Sequence, residues 1–191
     1  MIIMCLGQSV KEYLAGWATV LNARPACPHC QQRCQSHGSY TRTVRTDGDC
    51  PVLTILRVRC SPCRKTHALL PSFLAPYGRY PVAAHEAVVT EQAAGVPVEE
   101  AGAVFGQTVE TSKRWLAFFR SRIALALGAL RGAVGQLGQY RWTEESSPLP
   151  ELTRLCRTLC TALSLPAPVH PGELFAVANR LLSRAAAPHW L

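Results

Sequence analysis

Polar and apolar positions alternate with a period of two in two neighbouring runs, GSYTRTVRT (38–46) and PVLTILRVR (51–59). Both are rich in β-branched, aromatic or Leu residues, and Asp47-Gly48-Asp49 lies between them, so the pattern predicts a β-hairpin over 38–59. In the second run Val52, Thr54, Leu56 and Val58 share one face. Leu53, Ile55, Arg57 and Arg59 share the other, which is apolar at one end and cationic at the other. Upstream, SVKEYLAGWATVL fits one amphipathic helix beginning near Ser9, ended by the prolines of RPACPHC. Downstream, residues 68–81 form a proline-rich strap that cannot be helical throughout.

The spacing of apolar residues changes to a helical period near Val82. AAHEAVVTEQAAG stops at Gly95, and VPVEEAGAVFG predicts a helix from about Pro97 to Phe105 that stops at Gly106. TVETSKRWLAFFRSRI then starts on Thr108 as N-cap and runs on toward ALALGALRGAVGQLG. RWTEESSPLP (141–150) reads as a linker. ELTRLCRTLCTALS and GELFAVANRLLSRAAA are two further amphipathic helices. The fold class expected is α+β: a small β region followed by a mostly helical one. The organisation expected is a lead-in over 1–24, a cysteine-rich ribbon over 25–80, a helix-turn-helix over 81–123 and C-terminal helices over 124–191.

Charge sharpens this division. The chain of 191 residues has a formal net charge of +8. Residues 24–80 hold Arg24, Arg33, Arg42, Arg45, Arg57, Arg59, Arg64, Lys65 and Arg79 against only Asp47 and Asp49, whereas 81–123 is close to neutral. A cationic surplus confined to one region favours a polyanionic partner, above all nucleic acid. No stretch approaches the roughly 18 to 20 apolar residues of a membrane span, so no membrane partner is expected. No secretory leader is read at the N-terminus, and the location expected is cytoplasmic.

Nine cysteines are present, four of them in two CxxC pairs, Cys27-Pro-His-Cys30 and Cys60-Ser-Pro-Cys63. A CxxC turn offers two thiolates from one tight loop, and structural zinc takes four soft ligands in a tetrahedron. A chain that leaves Cys30, travels out along one strand, turns at Asp47-Gly48 and returns arrives beside its start at Cys60. That return path is the logic of a zinc ribbon, and it predicts structural Zn2+ on Cys27, Cys30, Cys60 and Cys63. Neither pair precedes a helix in a βαβ context, as a thioredoxin-like redox pair would. Cys34, His37 and His67 are near enough in sequence to replace a cysteine ligand. Cys50 lies at the hairpin tip, while Cys5, Cys156 and Cys160 read as core residues.

The segment GVPVEEAGAVFGQTVETSKRWLAFFR has the layout of a helix-turn-helix, with Gly106 at the turn and Gly102 where the helices approach. Val104, Phe105, Trp115, Leu116 and Phe119 supply its expected core. On this reading the first turns of the second helix face DNA through Thr108, Glu110, Thr111, Ser112, Lys113 and Arg114, and Arg120 and Arg122 reach phosphates. Arg42, Arg45, Arg57, Arg59, Arg64 and Lys65 add phosphate contacts from the ribbon.

A four-cysteine segment followed by this helical segment resembles the N-terminal DNA-binding region of insertion-sequence transposases. It also resembles short bacterial proteins of uncharacterised function with the same order. The motifs that carry the resemblance are CPHC, HGSYTR, LRVRCSPCRKTHALLPSFLAPYGRY and GVPVEEAGAVFGQTVETSKRWLAFFR, spanning about 25–122. The resemblance implies a zinc role for Cys27, Cys30, Cys60 and Cys63 and a recognition-helix role for Thr108 to Arg114. Gln107 and Ser112 depart from it, standing where such motifs carry aliphatic residues. The catalytic domain of the transposases also has no counterpart. The 69 residues after Arg122 carry Glu144, Glu145, Glu151 and Glu173 but no Asp, and no other catalytic motif is found, so no enzymatic activity is expected. The expected function is a zinc-stabilised protein that binds double-stranded DNA, a regulator or an accessory of a mobile element. The alternatives are an adaptor for protein or RNA and an inactive transposase remnant. The C-terminal helices offer a homodimer seam or a protein-docking surface.

Overall fold

The computed structural model describes residues 2–4, 9–138 and 147–184. The chain forms two compact units, 1–81 and 82–191, and the fold is α+β as its patterning requires. The 141–150 linker expectation and Cys5 lie largely or wholly outside the described residues.

Unit 1 is built on a sheet of four strands, β1 (Ile2–Met4), β2 (Gln35–Thr43), β3 (Val52–Arg59) and β4 (Thr66–Pro71), in the order β1-β4-β3-β2. Strands β2, β3 and β4 are antiparallel neighbours, and β1 runs parallel to β4. The hairpin sits where the β-branched runs place it, with Thr43 opposite Val52 and Gln35 opposite Arg59. Its tip closes through the Thr46 N–H on the Asp49 carbonyl (2.9 Å), with Gly48 at φ 73°. The register slips between Ser36 and Ser39, where Gly38 adopts φ 80°. This is a bulge that bends β2.

The strap contains a third strand, which the sequence pattern does not reveal. His67, Leu69 and Leu70 of β4 are buried, because β3 covers one of its edges and β1 the other. Only from Ser72 does the chain become irregular, ending in a bridge between Leu74 and Pro81. The two ends of β3 differ as its pattern predicts: Leu53 and Ile55 are fully buried, and Arg57 and Arg59 are exposed. The N-terminal helical segment is split by Gly16 into α1 (Val10–Ala15, capped by Ser9) and α2 (Trp17–Leu21). It belongs to the core of unit 1. Tyr13 is fully buried, donates from Oη to the Thr54 carbonyl (2.7 Å) and meets Phe73 edge-on.

Unit 2 contains α3 (Val82–Ala93), α4 (Val109–Gly135), α5 (Pro148–Ala162) and α6 (Leu174–Arg184). Helix α4 starts on Thr108, whose hydroxyl accepts from the Thr111 N–H. It buries Leu116, Phe119, Ile123, Leu127, Leu130 and Val134 along one stripe, the spacing of a core-facing helix. Arg131 makes a two-pronged ion pair with Glu151 (2.7 Å at both contacts), tying α4 to α5. The apolar faces of α5 and α6, including Leu152, Leu155, Phe175 and Leu182, are buried inside unit 2. Cys156 and Cys160 share that buried face of α5. These residues of the two helices pack within unit 2.

The expected helix from Pro97 to Phe105 is replaced by consecutive turns and a single 3₁₀ turn, Ala103–Phe105. Gly102 is the reason: it sits at φ 69°, and a Cβ there would lie 2.5 Å from Val88 Cγ2. The left-handed backbone ends any helix at that residue, and the absent side chain lets the segment press against α3. Val104 is accordingly 56% exposed and lies outside the core.

Candidate metal centre

The two CxxC segments are built alike. In the first, the Cys27 N–H donates to the Gln32 carbonyl (2.8 Å), closing a loop around Pro28-His29-Cys30. In the second, which is the turn between β3 and β4, the Cys60 N–H donates to the Lys65 carbonyl (2.9 Å). In each case the residue after the second cysteine is left-handed, Gln31 at φ 59° and Arg64 at φ 57°. Both loops thus turn back sharply and present two thiols on the same side.

Sheet pairing brings the loops together. Cys27 Sγ lies 3.5 Å from Cys63 Sγ and Cys30 Sγ lies 3.3 Å from Cys60 Sγ. All four sulfurs are within 4.8 Å of one another. Cys27 and Cys60 are fully buried, and Cys30 and Cys63 partly so. Four thiols at these separations could hold a metal ion. The donor set is that of a soft or borderline cation, not of Mg or Ca.

The four thiols do not ionise independently. Burial opposes ionisation of Cys27, but the N–H groups of His29 and Cys30, with Cys63 and His67 beside the sulfur, outweigh it and hold the thiol below its ordinary range. For Cys60 the Cys63 N–H favours the thiolate, yet burial and the facing thiols of Cys30, Cys63 and Cys27 win and push it up. Several thiolates cannot share so small a space without a cation to compensate them.

A second buried group meets the first at Cys27. Cys34, His67 and Cys27 place their ligand atoms within 4.8 Å of one another, and His67 Nε2 is 3.5 Å from Cys27 Sγ. When protonated at Nε2, His67 donates to that sulfur. Its ring also stacks on His29 at 5.8 Å. Sequence alone offers Cys34, His37 and His67 as equals. The structure separates them: Cys34 and His67 are buried beside Cys27, and His37 is exposed on β2. The register pair Val58–His67 is what carries His67 inward. Cys50 stays exposed near the hairpin tip.

The residues expected to face DNA fall in both units. Arg57, Arg59, Arg64 and Lys65 are exposed around the cysteine cluster, and Lys65 Nζ approaches His29 Nδ1 at 3.4 Å. On α4, Thr108, Glu110, Lys113, Arg114 and Arg120 are exposed and Thr111 is half-buried. Lys113 sits 4.0 Å from Glu99, Arg120 donates to Gln92 Oε1 (3.3 Å), and Arg122 lies over the Phe118 ring at 5.2 Å. Ser112 is placed differently from that expectation. It is 1% exposed and its hydroxyl accepts from Gln107 Nε2 (3.2 Å), so it faces the core of unit 2. The two polar residues that depart from the aliphatic pattern thus meet each other, and Gln107 Nε2 also donates to the Ala101 carbonyl (3.0 Å).

Residues 27–115 match the family described as Domain of unknown function (DUF6431), a span that contains both CxxC loops, β2 to β4, α3 and the start of α4. No curated protein and no solved structure matches the chain. Among the described residues, no helix is long and apolar enough to cross a membrane.

Proposed function

We propose that the chain is a zinc-stabilised protein that binds double-stranded DNA, akin to the DNA-binding region of insertion-sequence transposases but without their catalytic part. Two CxxC loops bracketing a hairpin support zinc as the ion, and the uniform thiol set is compatible with it. Zinc–thiolate bonds of about 2.3 Å put tetrahedral sulfurs about 3.8 Å apart, so the Cys27–Cys63 and Cys30–Cys60 pairs, at 3.5 and 3.3 Å, would open slightly to take the ion. The ion's role is structural, since four protein ligands leave no open position for chemistry.

The observation that carries the DNA reading is the state of the cations in unit 1. Arg45, Arg57, Arg59, Arg64, Lys65 and Arg79 are exposed, and none pairs with a carboxylate among the described residues. Such a set is ready to neutralise phosphates and release counterions. The start of α4, with exposed Glu110, Lys113 and Arg114, supplies side chains able to read base edges.

The test is titration of labelled duplex DNA at several salt concentrations, coupled to binding-site selection from random duplexes. A sequence-reading protein keeps its preference as salt rises, and Lys113→Ala with Arg114→Ala flattens that preference. A purely cationic adaptor loses all duplexes together, and a remnant selects no site.

A further inference from the structure

A cleft of about 690 Å³ opens on unit 1, between β2 and the segment after β4. Three arginines line it, Arg42, Arg45 and Arg79, together with Tyr40, Tyr77 and Thr66. No carboxylate lines it. Asp47 and Asp49 lie in the adjoining hairpin turn, where Asp49 Oδ1 already accepts from the Cys50 N–H (2.7 Å).

The walls are built. Arg42 Nη2 donates to the Ala75 carbonyl (2.6 Å) and to the Gly78 carbonyl, so a half-buried arginine holds the strap against β2. The Arg45 N–H donates to the Arg79 carbonyl (2.6 Å), and Arg45 Nη1 reaches Tyr80 Oη (3.4 Å). These bonds fix the strap so that Tyr77 and Arg79 project at its rim. Tyr77 is 98% exposed and has φ 59°. A bulky residue is uncommon in the left-handed region, and an aromatic ring held almost wholly in water gains nothing from the fold of unit 1. Arginines gathered on one cleft without a carboxylate select a planar or tetrahedral oxyanion. An adjacent free aromatic face selects a flat, π-bearing group. A nucleotide carries both, and the cleft has the volume of a small-ligand site.

We infer that this cleft binds a nucleotide of single-stranded nucleic acid, with Arg42, Arg45 and Arg79 on the phosphate and the base stacked on Tyr77. Arg57, the cross-strand partner of Ala68 on the cleft wall, offers the next phosphate along the strand a cation. The site shares Arg45, Arg57 and Arg79 with the cations invoked for duplex binding, but uses no residue of α4. Stacking on an aromatic ring tolerates any base, so the site favours single strands over duplex without strong sequence choice.

The experiment is fluorescence anisotropy with a short labelled oligothymidylate and a labelled duplex, on the metal-loaded full chain. Wild-type protein binds the single strand at low salt. Tyr77→Ala weakens it about tenfold or more, Tyr77→Phe retains it, and Arg45→Glu with Arg79→Glu abolishes it. These side chains are exposed, and unchanged metal content and thermal unfolding verify that the variants are folded. Lys113→Ala is read only in the duplex arm, where it reports on the duplex-reading helix, while Tyr77→Ala reports on the cleft. Absence of single-strand binding by the wild type, or a Tyr77→Ala protein that binds like the wild type, overturns the inference.

Discussion

Gln31 and Arg64 occupy equivalent places, each directly after the second cysteine of a CxxC loop and each with left-handed backbone, at φ 59° and 57°. A side chain in that region costs about 1 to 2 kcal/mol, and glycine removes the cost at the expense of greater chain freedom. Gln31→Gly and Arg64→Gly therefore leave the stability of the metal-loaded protein equal or slightly raised, while Gln31→Val lowers it by about 1 to 2 kcal/mol. Chemical denaturation of the three variants measures this.

His67 and Cys34 lie against Cys27 without belonging to the four-sulfur set. A hydrogen bond from His67 to the Cys27 sulfur orients the ligand and stabilises its charge. His67→Phe should weaken metal binding about 10- to 100-fold. Cys34→Ala keeps one ion per chain, and Cys27→Ala loses it. Competition against a chromophoric chelator gives all three values.

His85 stacks on Trp115 with ring centroids 4.0 Å apart, and burial lowers its pKa from 6.5 to about 4. The folded form resists a proton that the unfolded chain accepts. The stabilisation it contributes is present above pH 6.5 and is lost as pH falls toward 4, by roughly 3 kcal/mol at most. Neighbouring Glu86 acts in the opposite sense, because burial raises its carboxyl against the N–H groups that lower it. It takes up a proton on folding and so favours the folded form as pH falls through its raised pKa toward 4.5. The difference between wild type and His85→Phe isolates the histidine: the wild type loses stability relative to the variant across pH 6.5 to 4.

Glu86 also binds α3 to the start of α6. Its two oxygens accept from the N–H groups of Gly172 and Phe175, both at 2.8 Å. Donors at the start of a helix lack carbonyl partners within that helix, and the Glu86 carboxylate supplies acceptors for them. Glu86→Ala removes both of these hydrogen bonds, at a cost of about 1 to 3 kcal/mol. Hydrogen exchange at Gly172 and Phe175 should accelerate more than at the middle of α4.

How far these features could be read from sequence depends on how local their causes are. The hairpin of β2 and β3, the Thr108 cap and the four-cysteine set rest on neighbouring residues and a return path, and all are legible. Strand β4 was hidden because Leu69, Leu70 and Pro71 form an apolar run with no alternation; both of its edges are covered, one of them by distant Ile2–Met4. The 97–105 segment carries helical spacing at Val98, Ala101 and Phe105, but the conformation of Gly102 is set by contact with Val88, which spacing cannot register. The Ser112–Gln107 pairing, the Glu86 contacts and the arginine cleft likewise depend on residues that only the tertiary fold brings together.

The account depends above all on an ion held by Cys27, Cys30, Cys60 and Cys63 that keeps unit 1 folded. Its most direct test is metal analysis of the purified protein before and after chelation, with amide exchange followed in β2, β3 and β4. The expected result is one zinc per chain and loss of protection in those strands on chelation, reversed when zinc is restored. A protein that never carries a metal, and whose strands stay protected in chelator, would contradict it.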